Sequence, residues 1–283
     1  MKCMLCKSKN ITSRYPYVRD NKDIEVLTCN DCGLVFLSSV ESITDEFYEE
    51  SGMMNGSVDL KKYRQQSFKD DERRANSLRD KILGKRVLDF GCGAGGFLSL
   101  IQPFTVSVAG VELDKSINAA INKEGIQCFG NISDIEEEYD VITLFHVLEH
   151  LTSPREILNN LKKYLKPGGT LIIEVPNADD ALLTLYNSKE FADFTYWSCH
   201  VYLYNSHTLQ TLLVQEDFDV KFVKQIQRYP LSNHLYWLSK GKPGGHSHFN
   251  LLNNFLLEQE YEATLAAIGK CDTILAECSI KID

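Results

Sequence analysis

Residues 87–100 read "VLDFGCGAGGFLSL": a short apolar run, a cluster of glycines, then apolar residues that resume at helical spacing. That order predicts a buried strand, a turn and a helix. Gly91, Gly93 and Gly96 match G-x-G-x-x-G, in which glycine permits a tight turn and lets free backbone N–H groups face a ligand. By itself the pattern also suits a plain strand-to-helix turn. Glu112 decides for a ligand loop, because it falls 21 residues after Gly91 at the end of the next apolar run. A carboxylate placed there can accept both hydroxyls of a ribose.

Outward from this stretch the pattern alternates. "RVLDF", "VSVAGVEL", "IQCFGNI", "YDVITLFHVL" and "TLIIEVPN" read as strands, with "KSINAAINKEG" and "SPREILNNLKKYLKPGG" as helices between them. Strand and helix taking turns means parallel βαβ units in a doubly wound α/β sheet, which binds ligands at the carboxyl ends of its strands. A further helix, "NSHTLQTLLVQEDF", precedes two alternating runs, "DVKFVKQIQR" and "CDTILAECSIKI", that read as the last two strands.

With 283 residues, 43% of them hydrophobic and 24% charged, the chain can bury one substantial core plus a small accessory unit. No apolar run reaches the roughly 20 residues of a membrane span, and the polar, cysteine-bearing start does not resemble a signal peptide, so a cytoplasmic location is the expectation. The net charge of −9 works against nucleic-acid binding. Residues 1–40 nevertheless carry net +2, so a weakly basic head precedes an acidic body of −11.

In that head, Cys3 and Cys6 form one C-x-x-C pair and Cys29 and Cys32 a second, 22 residues apart. Two such pairs supply four thiolates for one tetrahedral Zn2+, and a site with four protein ligands is closed, hence structural. Gly33 suits a turn at positive φ, and "GLVFL" reads as a strand closing a zinc ribbon over 1–40. The other five cysteines (92, 128, 199, 271 and 278) lack ligand spacing. Residues 41–83 read as a loop and one or two amphipathic helices linking ribbon to core; Tyr48, Tyr63 and Arg64 could lean over a ligand, though a packed surface helix is the favoured expectation.

Over residues 84–228 the blocks resemble the class I S-adenosylmethionine-dependent methyltransferases. "VLDFGCGAGGF", "VAGVELD", "GNISDI", "YDVITLFHVLEHLTSP" and "LKPGGTLIIEVPN" stand in that family's order. The resemblance implies a seven-stranded Rossmann-like methyltransferase sheet over 84–283, the last strand antiparallel beside the sixth. It implies that S-adenosylmethionine meets Asp89, Gly91, Cys92 and Gly93 in the first loop, Glu112 and Leu113 at the ribose, and Asn131 or Asp134 with Ile132 at the adenine. Phe145 and His146 would pack on the cofactor after the fourth strand.

This topology sends the sixth strand out, and the seventh in, at the ligand edge, so residues 229–270 rise from that side. Their aromatics, histidines and Gly-Pro-rich loop read as a substrate lid, with a dimerisation hairpin as the alternative. His150, His200 and His234 are the candidate proton acceptors; Glu149 would assist His150. A zinc-clamped head on this core resembles the sugar and surface-polysaccharide methyltransferases. Sugar C-methyltransferases of that kind carry a large further domain after the seventh strand, so O- or N-methylation of a sugar, nucleotide-sugar or polysaccharide precursor is expected. The alternatives are an RNA base methyltransferase that reads RNA with the ribbon, and a cofactor-binding regulator without catalysis.

Overall fold

The structure, a computed structural model, describes residues 1–40, 49 and 59–281. Tyr48 and most of the segment 41–58 lie outside the described residues. Ribbon strands β1 (Ile11–Tyr15), β2 (Val26–Cys29) and β3 (Val35–Leu37) come first. Next come β4 (Arg86–Phe90), β5 (Ser107–Val111), β6 (Gln127–Phe129), β7 (Tyr139–Phe145) and β8 (Leu165–Pro176). A two-residue strand β9 (Tyr202–Leu203) precedes β10 (Phe218–Ile226) and β11 (Thr273–Ile280).

The main sheet has seven strands in the order β10-β11-β8-β7-β4-β5-β6. Pairing is parallel from β8 through β7, β4 and β5 to β6, whereas β11 runs antiparallel between β8 and β10. Successive residues of these strands enter opposite core layers: Leu88, Ile142, Leu144 and Ile173 pack on one face, Val87, Val141, Ile172 and Leu275 on the other. Burial on both faces is why the strands read as continuous apolar runs. The chain leaves β4 toward β5 and β6, then returns to β7 on β4's other side, so the glycine loop after β4 sits where the strand order reverses.

Two local expectations shift. The helix expected to run through Gly169 ends at Lys162, and β8 already begins at Leu165. Leu165 pairs with Tyr139 and Thr170 with Val141, so Lys166–Gly169 bulge out of an otherwise continuous ladder. The strand expected over 126–132 stops at Phe129, because Asn131 and Asp134 form a capping box that starts a 3-10 turn.

The ribbon does not close on itself. β3 pairs with β9, Val35 opposite Leu203 and Phe36 opposite Tyr202, so the main chain supplies the ribbon's fourth strand. Leu34 and Phe36 join the same core layer as Leu88. Arg14 donates to the Ala178 carbonyl at 2.6 Å, the Arg19 N–H donates to the Tyr196 carbonyl at 2.8 Å, and the Arg19 guanidinium lies 4.4 Å from the Trp197 ring centre.

Helix Leu60–Ser77, expected to be a surface linker, instead covers the glycine loop. A Cβ on Gly96 would come within 2.2 Å of Asp71 Oδ2, so Gly96 serves helix approach. Arg64 Nε donates to the Ala94 carbonyl at 2.8 Å. Among the described residues no helix is long and apolar enough to cross a membrane.

Candidate active site

The loop after β4 holds Gly91 at φ 75° and Gly93 at φ 51°, in the left-handed region that favours glycine. A Cβ on Gly91 would strike Val147 Cγ2 at 2.4 Å, while one on Gly93 would meet nothing within 4 Å, leaving that face open to a ligand. Glu112 accepts from Gly93 N at 2.9 Å through Oε2 and from Asp114 N at 3.0 Å through Oε1, which binds strand end to loop. Burial pushes its carboxyl above the usual range. Asp89, 4% exposed, accepts from Thr143 Oγ1 at 2.7 Å, and burial raises it to about 7.

The remaining expected cofactor residues stand on the same strand edge with different neighbours. Leu113 follows Glu112, and Asn131, exposed, spends its Oδ1 on the N–H of Ser133 in the turn that includes Ile132. The Cys92 thiol turns down over Gly110 and lies 3.9 Å from Cys128 Sγ, so Cys92 offers the loop only backbone. Phe145 packs edge-on to Phe97 beneath the Arg74 guanidinium, 4.5 Å from its ring centre. This cradle fits a nucleotide-bearing cofactor: open glycine backbone at the strand switch and a carboxylate at the adjoining strand end.

Beside the cradle, at the carboxyl ends of β7 and β8, opens a cavity of about 370 Å³. Its floor comes from His146, Glu149 and Asn177, one wall from Phe191, Phe194 and His200, and its roof from Tyr229, His234, Trp237 and His246. The structure therefore brings His150, His200 and His234 to one chamber although they come from three chain segments. The roof belongs to helices Leu231–Lys240 and Gly245–His248 of the 229–270 insert.

His146 ends β7 with φ 57°, a left-handed conformation that costs a non-glycine residue about 1 kcal/mol or more. Its Nε2 lies 2.9 Å from Arg228 Nη1 and its Nδ1 3.3 Å from Glu149 Oε1. Arg228 is itself clamped to Asp70. Glu149 is 1% exposed; burial opposes its charge, yet His146, His150 and His200 around it hold the carboxyl down to about 2. Burial lowers His150 and pushes His200 down to about 4, so both imidazoles stay neutral with a lone pair to offer. The two rings meet edge to face at 4.9 Å. His234, also pushed to about 4 by burial, has both nitrogens engaged, Nδ1 with Tyr261 Oη at 2.7 Å and Nε2 with Gln227 at 3.3 Å. That arrangement favours His150 and His200 as proton acceptors over His234.

Several participants escape the sequence reading. Arg73 and Arg74 converge on Glu174, which is 0% exposed, with Arg74 Nη2 2.7 Å from Oε1. The run "KDDERR" looks like a solvated face, yet Asp71 and Arg74 are buried. The surplus of charge on one short stretch was the available signal.

In the ribbon, the sulfurs of Cys3, Cys6, Cys29 and Cys32 all lie within 4.8 Å of one another, with Cys3 to Cys32 at 3.6 Å and Cys6 to Cys29 at 3.4 Å. A tetrahedral zinc with bonds of about 2.3 Å to sulfur needs edges of about 3.8 Å. Backbone N–H groups of Leu5 and Cys6 face the Cys3 sulfur, and those of Asp31 and Cys32 face Cys29. The donor set fits a closed tetrathiolate site.

A methyltransferase domain family matches residues 60–221, more than half of the chain and inclusive of the helix over the glycine loop. The chain is 32% identical over 106 residues to a ubiquinone biosynthesis O-methyltransferase of Coxiella burnetii, a stretch covering 34% of this chain and 45% of that protein. It thus spans about half the length of such curated relatives. In fold it is similar to a chain from the complex between the Haloferax volcanii Trm112 methyltransferase activator and a methyltransferase, at TM-score 0.55 and 13% identity, covering 84% of this chain and 97% of that one. It is similar too to Haemonchus contortus phosphoethanolamine N-methyltransferase 2 in complex with S-adenosyl-L-methionine, at TM-score 0.54 and 14% identity, covering 84% of this chain and 60% of that one.

Proposed function

Since the chain belongs to the methyltransferase domain family, we propose that it transfers the methyl group of S-adenosylmethionine to oxygen or nitrogen of a small polar acceptor: a sugar, nucleotide-sugar or polysaccharide precursor. The observation that carries this reading is the cavity beside the glycine cradle, with Glu149, His150 and His200 at one end and aromatic rings on its walls. Rings stack on the faces of a cyclic acceptor, while carboxylate, amide and imidazole groups meet its hydroxyls.

The cofactor supplies a sulfonium methyl that is already electrophilic. The loop at Asp89, Gly91 and Gly93 and the carboxylate of Glu112 hold it, the cavity aligns the acceptor, and His150 or His200 takes the acceptor's proton. The insert 229–270 roofs the acceptor. A structural Zn2+ on Cys3, Cys6, Cys29 and Cys32 stiffens the ribbon, which through β3 and β9 fixes the segment carrying His200.

A radiolabelled methyl-transfer screen over sugars, nucleotide-sugars, glycans, small phenols and tRNA tests the reading, with label expected in a carbohydrate acceptor. Phenols belong in the panel because Leu182, Leu183, Phe191 and Trp237 give the cavity an apolar side. Label confined to tRNA would replace the carbohydrate assignment. Absence of S-adenosylmethionine affinity by calorimetry would remove methyl transfer altogether.

A further inference from the structure

The geometry points to a divalent metal ion held by Glu149, His150 and His200 at the inner end of the acceptor cavity, a second metal centre distinct from the ribbon. One oxygen of Glu149 and one nitrogen of each imidazole lie within 4.8 Å of one another. Small side-chain rotations close that spacing onto one ion with bonds of about 2.1 Å.

Unmet polarity converges here. Glu149 is 1% exposed; His146 Nδ1–H faces its Oε1 at 3.3 Å, and among the described residues its Oε2 has no hydrogen-bond partner. His200 Nδ1 and Tyr204 Oη are also buried without a hydrogen-bond partner among the described residues, and the Tyr204 hydroxyl senses the Glu149 charge. Buried polar atoms are nearly always satisfied, so three such groups in one place mark a position built for a ligand. A buried carboxylate facing two imidazoles makes that ligand a cation.

The surroundings orient the three donors as metal ligands are oriented. The backbone of Cys199 engages one nitrogen of His150 and fixes the ring. Arg228 sets the His146 tautomer so that Nδ1–H faces Glu149 from outside the triad. His200 packs edge-on against Trp197, which lies under Arg19 of the ribbon. Glu149 and His150 come from the turn after β7, and His200 from the segment before β9, the strand that pairs with β3 of the ribbon.

Two nitrogens and one oxygen suit manganese, iron, cobalt, nickel or zinc, and three protein ligands leave positions open toward the cavity. The use of the ion rests on the methyl-transfer reading; its binding does not. With the ion present, His150 and His200 serve as its ligands in place of their role as proton acceptors, and the acceptor hydroxyl binds at an open position of the metal. Its proton leaves to solvent, its oxygen forms the new bond to the methyl carbon, and the electron pair of the broken carbon–sulfur bond stays on the departing thioether.

Mn2+ titration of the zinc-loaded protein, followed by electron paramagnetic resonance, tests the site, since soft ribbon thiolates already bearing zinc do not compete for Mn2+. One Mn2+ per chain is expected, with affinity weakened more than about tenfold in Glu149→Gln and in His200→Gln. Calorimetry should show S-adenosylmethionine affinity retained in both variants. Co2+ added to the same wild-type protein should give weak visible bands with no sulfur charge-transfer bands. The proposal is overturned if neither ion binds the zinc-loaded wild type, or if Glu149→Gln binds Mn2+ as tightly as wild type. A wild type that binds the ion but not S-adenosylmethionine would instead remove the methyl-transfer reading and leave the metal site standing.

Discussion

Arg228 Nη1 lies 2.9 Å from His146 Nε2, and because a guanidinium can only donate, the contact favours the His146 tautomer with its proton on Nδ1, 3.3 Å from Glu149 Oε1, over the Nε2–H form that Glu174 Oε1 at 3.4 Å would accept. A residue at the end of the sixth strand of the main sheet thereby sets the proton position on a residue at the end of the fourth. Asp70, from the helix over the glycine loop, completes the chain by clamping Arg228.

Replacing Arg228 with Gln should free His146 to exchange tautomers and slow methyl transfer by about tenfold or more, as losses of orienting partners commonly do. The readout specific to positioning is nitrogen NMR of His146: a single Nδ1–H tautomer in wild type and a mixture in the variant. An unchanged tautomer alongside a slowed rate would assign Arg228 a packing role instead.

Glu112→Ala should weaken S-adenosylmethionine binding by roughly 1.5–3 kcal/mol, since it removes a charged acceptor from the ribose position and unties Gly93. Calorimetry reads the change directly. Wild-type affinity in this variant would contradict the cradle assignment.

Gly91→Ala combines positive φ with a contact of 2.4 Å to Val147 Cγ2 and should cost about 1–3 kcal/mol of stability in urea denaturation. Adding Val147→Ala removes the clash but not the backbone strain, so rescue should be partial. Full rescue would show that φ matters little there.

Cys29→Ser should abolish stoichiometric zinc and let the Leu37 amide exchange, because Leu37 N donates to the Val201 carbonyl at 3.1 Å from a strand the cluster holds. Metal analysis and hydrogen exchange are the measurements. Full zinc occupancy, or unchanged protection of the Leu37 amide, would detach the ribbon from the site.

Asp180, 5% exposed, is raised to about 8 by burial and by Asp272. The unfolded chain releases this proton near pH 3.8 and the folded protein holds it to about pH 8. Its contribution is therefore fully present below pH 3.8 and is lost as pH rises to about 8, at up to about 1.4 kcal/mol per pH unit. Asp180→Asn should gain on wild type at pH 8.5 relative to pH 5 in denaturant melts. Parallel pH profiles would refute the assignment.

Much of this was legible locally. The strand-turn-helix at 87–100, Glu112 at 21 residues from Gly91 and the two C-x-x-C pairs are patterns along the chain, set by backbone geometry and side-chain period, whereas the antiparallel last strand was implied by the family resemblance. Helix Leu60–Ser77 misled because charged side chains read as solvated, whereas Asp71 and Arg74 are buried by mutual pairing and by Glu174.

Residues along the chain thus determined by themselves the strands and helices, the glycine turn and the two C-x-x-C pairs, since each depends on neighbours a few positions apart. Tertiary structure alone decided that β9 completes the ribbon, that His200 meets Glu149 and His150, and that Arg228 orients His146. Those contacts join residues 82 positions apart for Arg228 and His146, and 168 for Val35 and Leu203. No local periodicity records such a meeting; it exists only once packing of both sheet faces brings the strand ends to one edge.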